Sequence, residues 1–588
     1  MDITIVITLA VLVIVAVSAL APKVGVSAPL LLVALGVGVS FLPFVADFEI
    51  DPDWILAGVL PPLLYSSAVN MPTMDFRRDF RTISAYSVVL VVASAVVVGF
   101  VMSSLIPGIG LATGIALGAI ISPTDAVATS IVKHTGASPR IVTVLEGESM
   151  LNDASSLVIL RSAVAATAAS VSLWQVAGDF VYAVIAAVVV GVVVGRLSLA
   201  VRAALGQSTL NVAISLVVPF VAYIPAEELG ASGLVATVTA GLVSGAGAPR
   251  KLDASDRLNE RAVWKTLELL LESSVFLVMG LELSALVDDV HNEHGHVLTA
   301  LWFGAIAAAL VIVVRIAFVV PSIWLLGRRA RKNPQVRDRL TTLQDQMKGG
   351  DYSGIRSSGK LPSDDDDDAD LSDDERARRD RHAFRARFKV RQRIADIDYL
   401  TAEKFGAREG VVLVWAGMRG AVTLAAAQSL PTDTPQRSLI ILIAFVVAAG
   451  TLLIQGGTLG WVVNKLGLRS GDDDSREEWV SLRRELDQAA AKRLASPDLK
   501  RPDGERYSPD LLERARSKLA QDEADSAEEF ADRDEFSALI VDIVEAQRDK
   551  LLVIRDLGTY SSTMLDAALR MLDAREIGFD MRRNPNSE

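Results

Sequence analysis

Residues 118–130 read GAIISPTDAVATS, an apolar stretch interrupted by a proline and an aspartate. Pro123 has no N–H to donate and disfavours helix at Ser122, so a helix running through this stretch breaks there. The break frees backbone carbonyls and sets Thr124 and Asp125 beside them. Whether that matters depends on the surroundings. Up to about residue 327 the chain is a succession of apolar runs of spanning length, about 20 residues each, with short polar loops between them. Strands of a membrane β-barrel would give alternating runs half as long. The reading is an all-α polytopic membrane protein, with a helix broken inside the membrane.

Working outward, the pattern predicts thirteen spans, at about 3–20, 27–45, 54–71, 83–105, 110–132, 140–167, 173–196, 208–225, 230–248, 264–286, 297–326, 407–429 and 437–464. Twelve is the alternative, because only PAEELG separates the eighth from the ninth. The N-terminus lacks the basic segment of a cleavable signal and reads as the first span. Loops on one side carry Lys23, Arg77, Arg78, Arg81, Lys133, Arg140, Arg202, Arg250, Lys251, Arg257 and Arg261. Loops on the other carry Asp47, Glu49, Asp51, Asp53, Glu227, Glu228, Asp288, Asp289 and Glu293, with Arg437 the one base. The excess of bases on the cytoplasmic side puts the N-terminus outside and the C-terminus in the cytoplasm.

The domain reading is spans 1–11 in residues 1–327, a largely disordered cytoplasmic loop at 328–405, spans 12–13 at 406–465, and a cytoplasmic helical tail at 466–588. The loop holds SDDDDDADLSDDE and then RARRDRHAFRARFKVRQR. The acidic run reads as self-repelling linker rather than metal site; the basic one suits anionic lipid or the acidic run itself. The tail has helical periodicity and reads as a small helical domain, with a regulatory partner left open. The net charge of −12 arises mainly in these soluble parts, and the absence of cysteine excludes disulfides and thiolate metal sites. Neither a cofactor nor a nucleic-acid partner is expected.

Ionisable residues inside a membrane cost at least about 2.5 kcal/mol and face cavities or partners. Glu268, Glu272, Glu282 and Arg161 fall near expected span ends and read as reaching an interface. The central ones lie in EGESMLNDASS, residues 146–156, and in the eleventh and twelfth spans. Ser149 and Asp153 are four apart and share a helical face with Ser156 near by. Glu148 is turned from Asp153 by about 140°, so the two meet different partners. Asp153 among hydroxyls suits a small hard cation or a proton. Glu148 needs a base, and Arg315 in LVIVVRIAFVV is otherwise an unpaired cation; a Glu148–Arg315 ion pair is the economical assignment. Glu146, nearer the cytoplasmic end, lines an entrance. Gly417, Arg419 and Gly420 interrupt VVLVWAGMRGAVTLAAA. That is either a tight packing site with Arg419 reaching an interface, or a second broken helix facing the Pro123 break, with spans 4–6 repeated in inverted sense as 11–13. Asp125 is read both as a cap on its half-helix and as facing the ion.

SPTDAVATS, LEGESMLNDASSLV, FLVMGLEL, VVRIAFV and WAGMRGAVTLA, in this order, resemble the monovalent cation/proton antiporters in their sodium/proton exchanger branch. The resemblance covers about residues 1–465 and implies exchange of a cation, Na⁺ foremost with Li⁺ or K⁺ as alternatives, for H⁺ across the cell membrane. It implies a homodimer, an elevator-like transport core, two broken crossing helices, and a role in sodium transport and pH homeostasis. It implies Thr124, Asp125, Ser149 and Asp153 at the ion site and Glu148–Arg315 as a structural pair. Asn152 before Asp153 is similar to the electroneutral, one-for-one members. Ser66 departs from relatives that carry an acidic residue there, which bears on the ligand set and the preferred cation. The competing classes are a K⁺/H⁺ antiporter, a cation channel and a non-transporting sensor. An intramembrane aspartyl protease lacks its motifs here, and no GxxxxGK[ST] loop supports a primary pump.

Overall fold

The computed structural model describes residues 3–24, 26–41, 53–168, 173–294, 297–331, 333–348, 373–403, 405–468, 472–501, 503–521 and 533–583. Among these residues the structure is helical, with no strand. The first helices are α1 Ile3–Val24, α2 Ala28–Ser40, α3 Leu60–Asn70, α4 Thr73–Ser84 and α5 Val91–Leu105. Wide π-type turns at Trp54–Val59 and Ala85–Leu90 lead into α3 and α5. There follow α6 Leu111–Ile120, α7 Val127–His134, α8 Pro139–Ala168, α9 Leu173–Leu205, α10 Ser208–Glu228, α11 Gly233–Lys251, α12 Ala254–Leu281, α13 Leu283–His294 and α14 Val297–Ala330. After α15 Asn333–Lys348 and α16 Asp373–Ala402 come α17 Ala407–Trp415, α18 Ala421–Gln428, α19 Arg437–Thr451 and α20 Gly457–Leu466. Four more close the chain: α21 Asp472–Leu494, α22 Pro509–Gln521, α23 Arg533–Leu557 and α24 Ser562–Arg583.

Among the described residues seven helices are long and apolar enough to cross a membrane, and three shorter ones are apolar. This is an integral membrane protein. α8, with its three acidic residues, and the two interrupted pairs α6/α7 and α17/α18 fall outside that set, because charge and breaks spoil a continuous apolar run.

The chain divides into two compact units, residues 1–323 with 406–470 and residues 324–405 with 471–588. In the first, small residues let helices pack closely. Gly36 of α2 and Gly280 of α12 stand backbone to backbone, as do Gly114 and Gly118 of α6 against α5. Several bases expected in loops are instead buried partners. Arg140 donates to Asp79 at 2.7 Å, and Arg202 to Glu260 at 2.6 Å. Arg257, expected in a loop, is buried within α12, which begins ten residues before its expected span.

In the second unit α21–α24 gather around Phe536, Leu539, Tyr507 and Phe579, with the two phenylalanine rings edge to face at 5.9 Å. Gln392 of α16 donates to the Asp556 carbonyl of α23 at 2.8 Å. The expected largely disordered loop at 328–405 thus contains two helices, since Arg, Leu and Gln in α15 and Arg and Ala in α16 favour helix. Its acidic run lies outside the described residues as far as Ser372, as do Asp47, Glu49 and Asp51.

Candidate functional site

The site begins where two helices fail to continue. α6 stops at Ile120 and α7 starts at Val127, with Pro123 in the gap; α17 stops at Trp415 and α18 starts at Ala421, with Gly417 and Gly420 in the gap. The gaps meet: Asp125 N donates to the Met418 carbonyl at 2.9 Å. Each break leaves carbonyls at the end of one half-helix and N–H groups at the start of the next, with opposite partial charges.

Two side chains answer those charges. Arg419 is 2% exposed, which excludes an interfacial role. Its Nε donates to the Ile121 carbonyl at 2.8 Å, Nη1 to the Gly417 carbonyl, and Nη2 to the Ser122 carbonyl at 3.5 Å. One guanidinium therefore serves freed carbonyls of both breaks. At the other pole Asp125 Oδ1 accepts from Val127 N at 3.3 Å, capping α7. The glycines are set by close approach. A Cβ on Gly420 would overlap the Asp125 carboxylate, and one on Gly417 would lie 2.7 Å from Arg315 Nε.

α8 runs beside this crossing and carries two polar groupings on separate faces. On one, Glu148 receives Arg315 of α14 through two bonds, Nη1–Oε1 at 2.6 Å and Nη2–Oε2 at 2.9 Å. Both side chains are at most 2% exposed, and Arg315 Nε also donates to the Leu413 carbonyl at 2.8 Å. Asn152, one turn on, donates to Thr124 Oγ1 at 2.6 Å, and that hydroxyl lies 3.5 Å from Glu148 Oε1. Asn152 thus stands behind Thr124 and does not line the cavity described next. It is turned about 100° from Asp153, as adjacent helical residues must be.

On the other face, Ser149 and Asp153 look into a cavity of about 100 Å³, space for several waters or a partly hydrated cation. Its walls carry the carboxylates of Asp125, Glu146, Asp153, Glu268 and Glu272, the hydroxyls of Thr124, Ser149 and Thr129, and apolar groups from α3 and α12. Among the described residues no Lys, Arg or His lines it. Ser149 Oγ donates to the Thr124 carbonyl at 2.9 Å, bracing α8 against the break. Glu146 is held by Lys133, in a pair with 25% and 51% of the respective side chains exposed, so it stands at a wetter margin. Asp153 is 6% exposed, and its Oδ1, like Oδ2 of Asp125, is buried without a hydrogen-bond partner in the protein. A bare buried carboxylate is costly, so water, a cation or a proton must complete it.

Glu268, Glu272 and Glu282 do not reach an interface as their position in the sequence suggested. Glu268 and Glu272 line the cavity, and Glu282 is buried and accepts from Gln428 Nε2 at 2.7 Å. Because α12 begins at Ala254, Glu268 lies about 21 Å along it, in the middle of the element. The four-residue spacing of the two glutamates in an apolar run was the available signal. Arg161, by contrast, is exposed and pairs with Glu227 at 2.6 Å. Ser66, on α3, does not line the cavity but donates to Glu268 Oε2 at 3.0 Å.

Comparison with known proteins bears on what these features belong to. The family described as sodium/hydrogen exchanger, transmembrane, matches residues 7–353 and 390–465. An uncharacterised Na⁺/H⁺ exchanger of Mycobacterium tuberculosis is 28% identical over 572 residues, covering 94% of this chain and 92% of its own. A sodium, potassium, lithium and rubidium/H⁺ antiporter of Bacillus subtilis is 31% identical over 274 residues, 45% of this chain and 41% of that one. Among solved structures, the sodium proton antiporter MjNhaP1 of Methanocaldococcus jannaschii has a similar fold, with a TM-score of 0.51 at 16% identity over 80% of this chain and all of that one. With a family match that covers most of the chain and includes both breaks, this chain belongs to the transmembrane sodium/hydrogen exchanger family.

Proposed function

We propose that the protein exchanges a monovalent cation, foremost Na⁺, for H⁺ across the cell membrane, one for one, with Asp153 as the group that takes either. The observation that carries this is the buried Asp153 carboxylate, its Oδ1 unpartnered, facing a mid-helix cavity that no base lines among the described residues. A carboxylate that holds a cation or a proton, never both, couples the two fluxes by competition. Asp125, Thr124 and Ser149 complete the oxygen-lined site, which suits a hard monovalent ion. Asn152, being uncharged and turned from the cavity, adds no second titrating group beside Asp153, in keeping with an electroneutral cycle. Glu148 and Arg315 hold α8 to α14 and exchange nothing.

The same reading takes the chain as thirteen spans with inverted repeats around the two breaks, N-terminus outside and C-terminus cytoplasmic, working as a homodimer by an elevator-like movement. Helical segments at each expected span and the meeting of the breaks at Asp125 and Met418 support it. Exchange of K⁺ is a second reading, favoured by the breadth named for the Bacillus subtilis relative. Proton flux in proteoliposomes tests both: Na⁺ gradients should drive it, unaltered by an imposed membrane potential. A response confined to K⁺ moves the assignment to a K⁺/H⁺ antiporter; current without proton counterflow makes the protein a channel; no flux with any cation leaves a sensor.

A further inference from the structure

The cavity holds more carboxylates than one-for-one exchange at Asp153 requires. Glu146 has Lys133. Asp125 caps α7. Glu268 and Glu272 have neither duty. They are four residues apart on α12 and so project from one face, and both reach the cavity walls. The hydrogen bond from Ser66 steadies Glu268 in that direction without neutralising it. Ser67, the next residue on α3, also lines the cavity, so its hydroxyl and the two glutamates form an oxygen-bearing wall.

We propose that Glu268 and Glu272 form a second cation position in the cavity, one that a monovalent ion occupies on its way to Asp153 and that sets the apparent affinity for it. The proposal rests on the reading of Asp153 as the exchange site. Two observations separate the second position from the first. Asp153, 6% exposed and with Oδ1 unpartnered, already presents a ligand-seeking oxygen of its own to the cavity. Among the described residues no three acidic or imidazole side chains converge to hold a single metal ion. The carboxylates are therefore spread along the walls rather than gathered in one shell, and an ion meets them in turn. Fixed negative charge along a partly enclosed, low-dielectric passage concentrates cations there and excludes anions.

The test measures cation-driven proton flux in proteoliposomes as a function of Na⁺ concentration. Glu268→Gln and Glu272→Gln should each raise the Na⁺ concentration for half-maximal rate by about tenfold, the scale of losing a charge a few ångströms from the ion in partly hydrated surroundings, while the maximal rate stays within about twofold. Glu268→Asp and Glu272→Asp keep the charge and should restore most of the affinity, and they serve in place of the glutamine variants if those misassemble. Combining Glu268→Gln with Ser66→Asp returns a carboxylate to the other end of the same hydrogen bond and should recover affinity that Glu268→Gln alone has lost. Melting temperature against Na⁺ concentration in detergent supplies a readout independent of transport and should shift in the same order.

Unchanged half-maximal concentrations in both glutamine variants overturn the second position. So does a fall in maximal rate at constant affinity, which would make the glutamates part of the moving machinery. Asp153→Asn, run alongside, keeps the levels apart. If it retains flux, the exchange site itself is misassigned; if it loses flux while the glutamate variants keep their affinity, only the second position falls.

Discussion

Glu148 and Arg315 meet through two parallel bonds with almost no exposure, the geometry in which removing one partner strands the other. Breaking such a pair from one side costs about 3–5 kcal/mol, whereas removing both charges costs far less. Glu148→Gln and Arg315→Ala should each lower the melting temperature in detergent, and the double variant should lose less than the sum. Additive losses would dissolve the coupling. Gly420 gives a different kind of prediction. A methyl there meets the Asp125 carboxylate, so Gly420→Ala should reduce cation-driven flux at least about tenfold, with the protein still assembled. Normal flux in that variant would show that the crossing has slack. At this scale much could be read in advance. Glu148 and Asp153 fall on different faces by helical angle alone. The Ser66–Glu268 bond spans 202 positions, and no local pattern predicts it.

The broken helices depend on Arg419, whose guanidinium bonds carbonyls from both gaps. Arg419→Ala leaves those carbonyls without a donor in a place poor in water, and we expect a loss of about 2–5 kcal/mol with collapse of flux. Arg419→Lys keeps the charge but lacks the planar fork, so its melting temperature should lie between alanine and wild type. Lysine no better than alanine would mean that charge plays no part in holding the crossing. The first break was legible because proline has a definite backbone consequence. The second rested on glycines, which permit a break without requiring one; the Asp125–Met418 hydrogen bond is what distinguishes a break from a packing site. The start of α12 is hidden in the sequence for a related reason. Its charged first turns read as loop, yet Asp256, Arg257 and Glu260 are buried there, with Asn211 and Arg202 as partners of the two acids. That shift in the start of the helix carried Glu268 and Glu272 from an apparent span end to a cavity wall.

For the whole molecule, the expected orientation rests on loop charge, and the absence of cysteine makes it directly testable. Glu228 and Lys500 are both exposed. A maleimide that cannot cross membranes should label Glu228→Cys in intact cells and Lys500→Cys only after permeabilisation; the reverse pattern inverts the topology. The second unit has its own core around Phe536 and Phe579. Its helices were legible from periodicity, whereas α15 and α16 were hidden by the strong charge of their segment, which reads as linker whether or not it folds.

The account turns on Asp153 as the single group shared by cation and proton. The most direct measurement is Na⁺-driven proton flux in proteoliposomes for Asp153→Asn beside the wild type, with assembly checked by melting temperature. The account predicts a folded protein with no cation-dependent proton flux and no stabilisation by Na⁺. Flux retained at wild-type rate in the folded variant would contradict it.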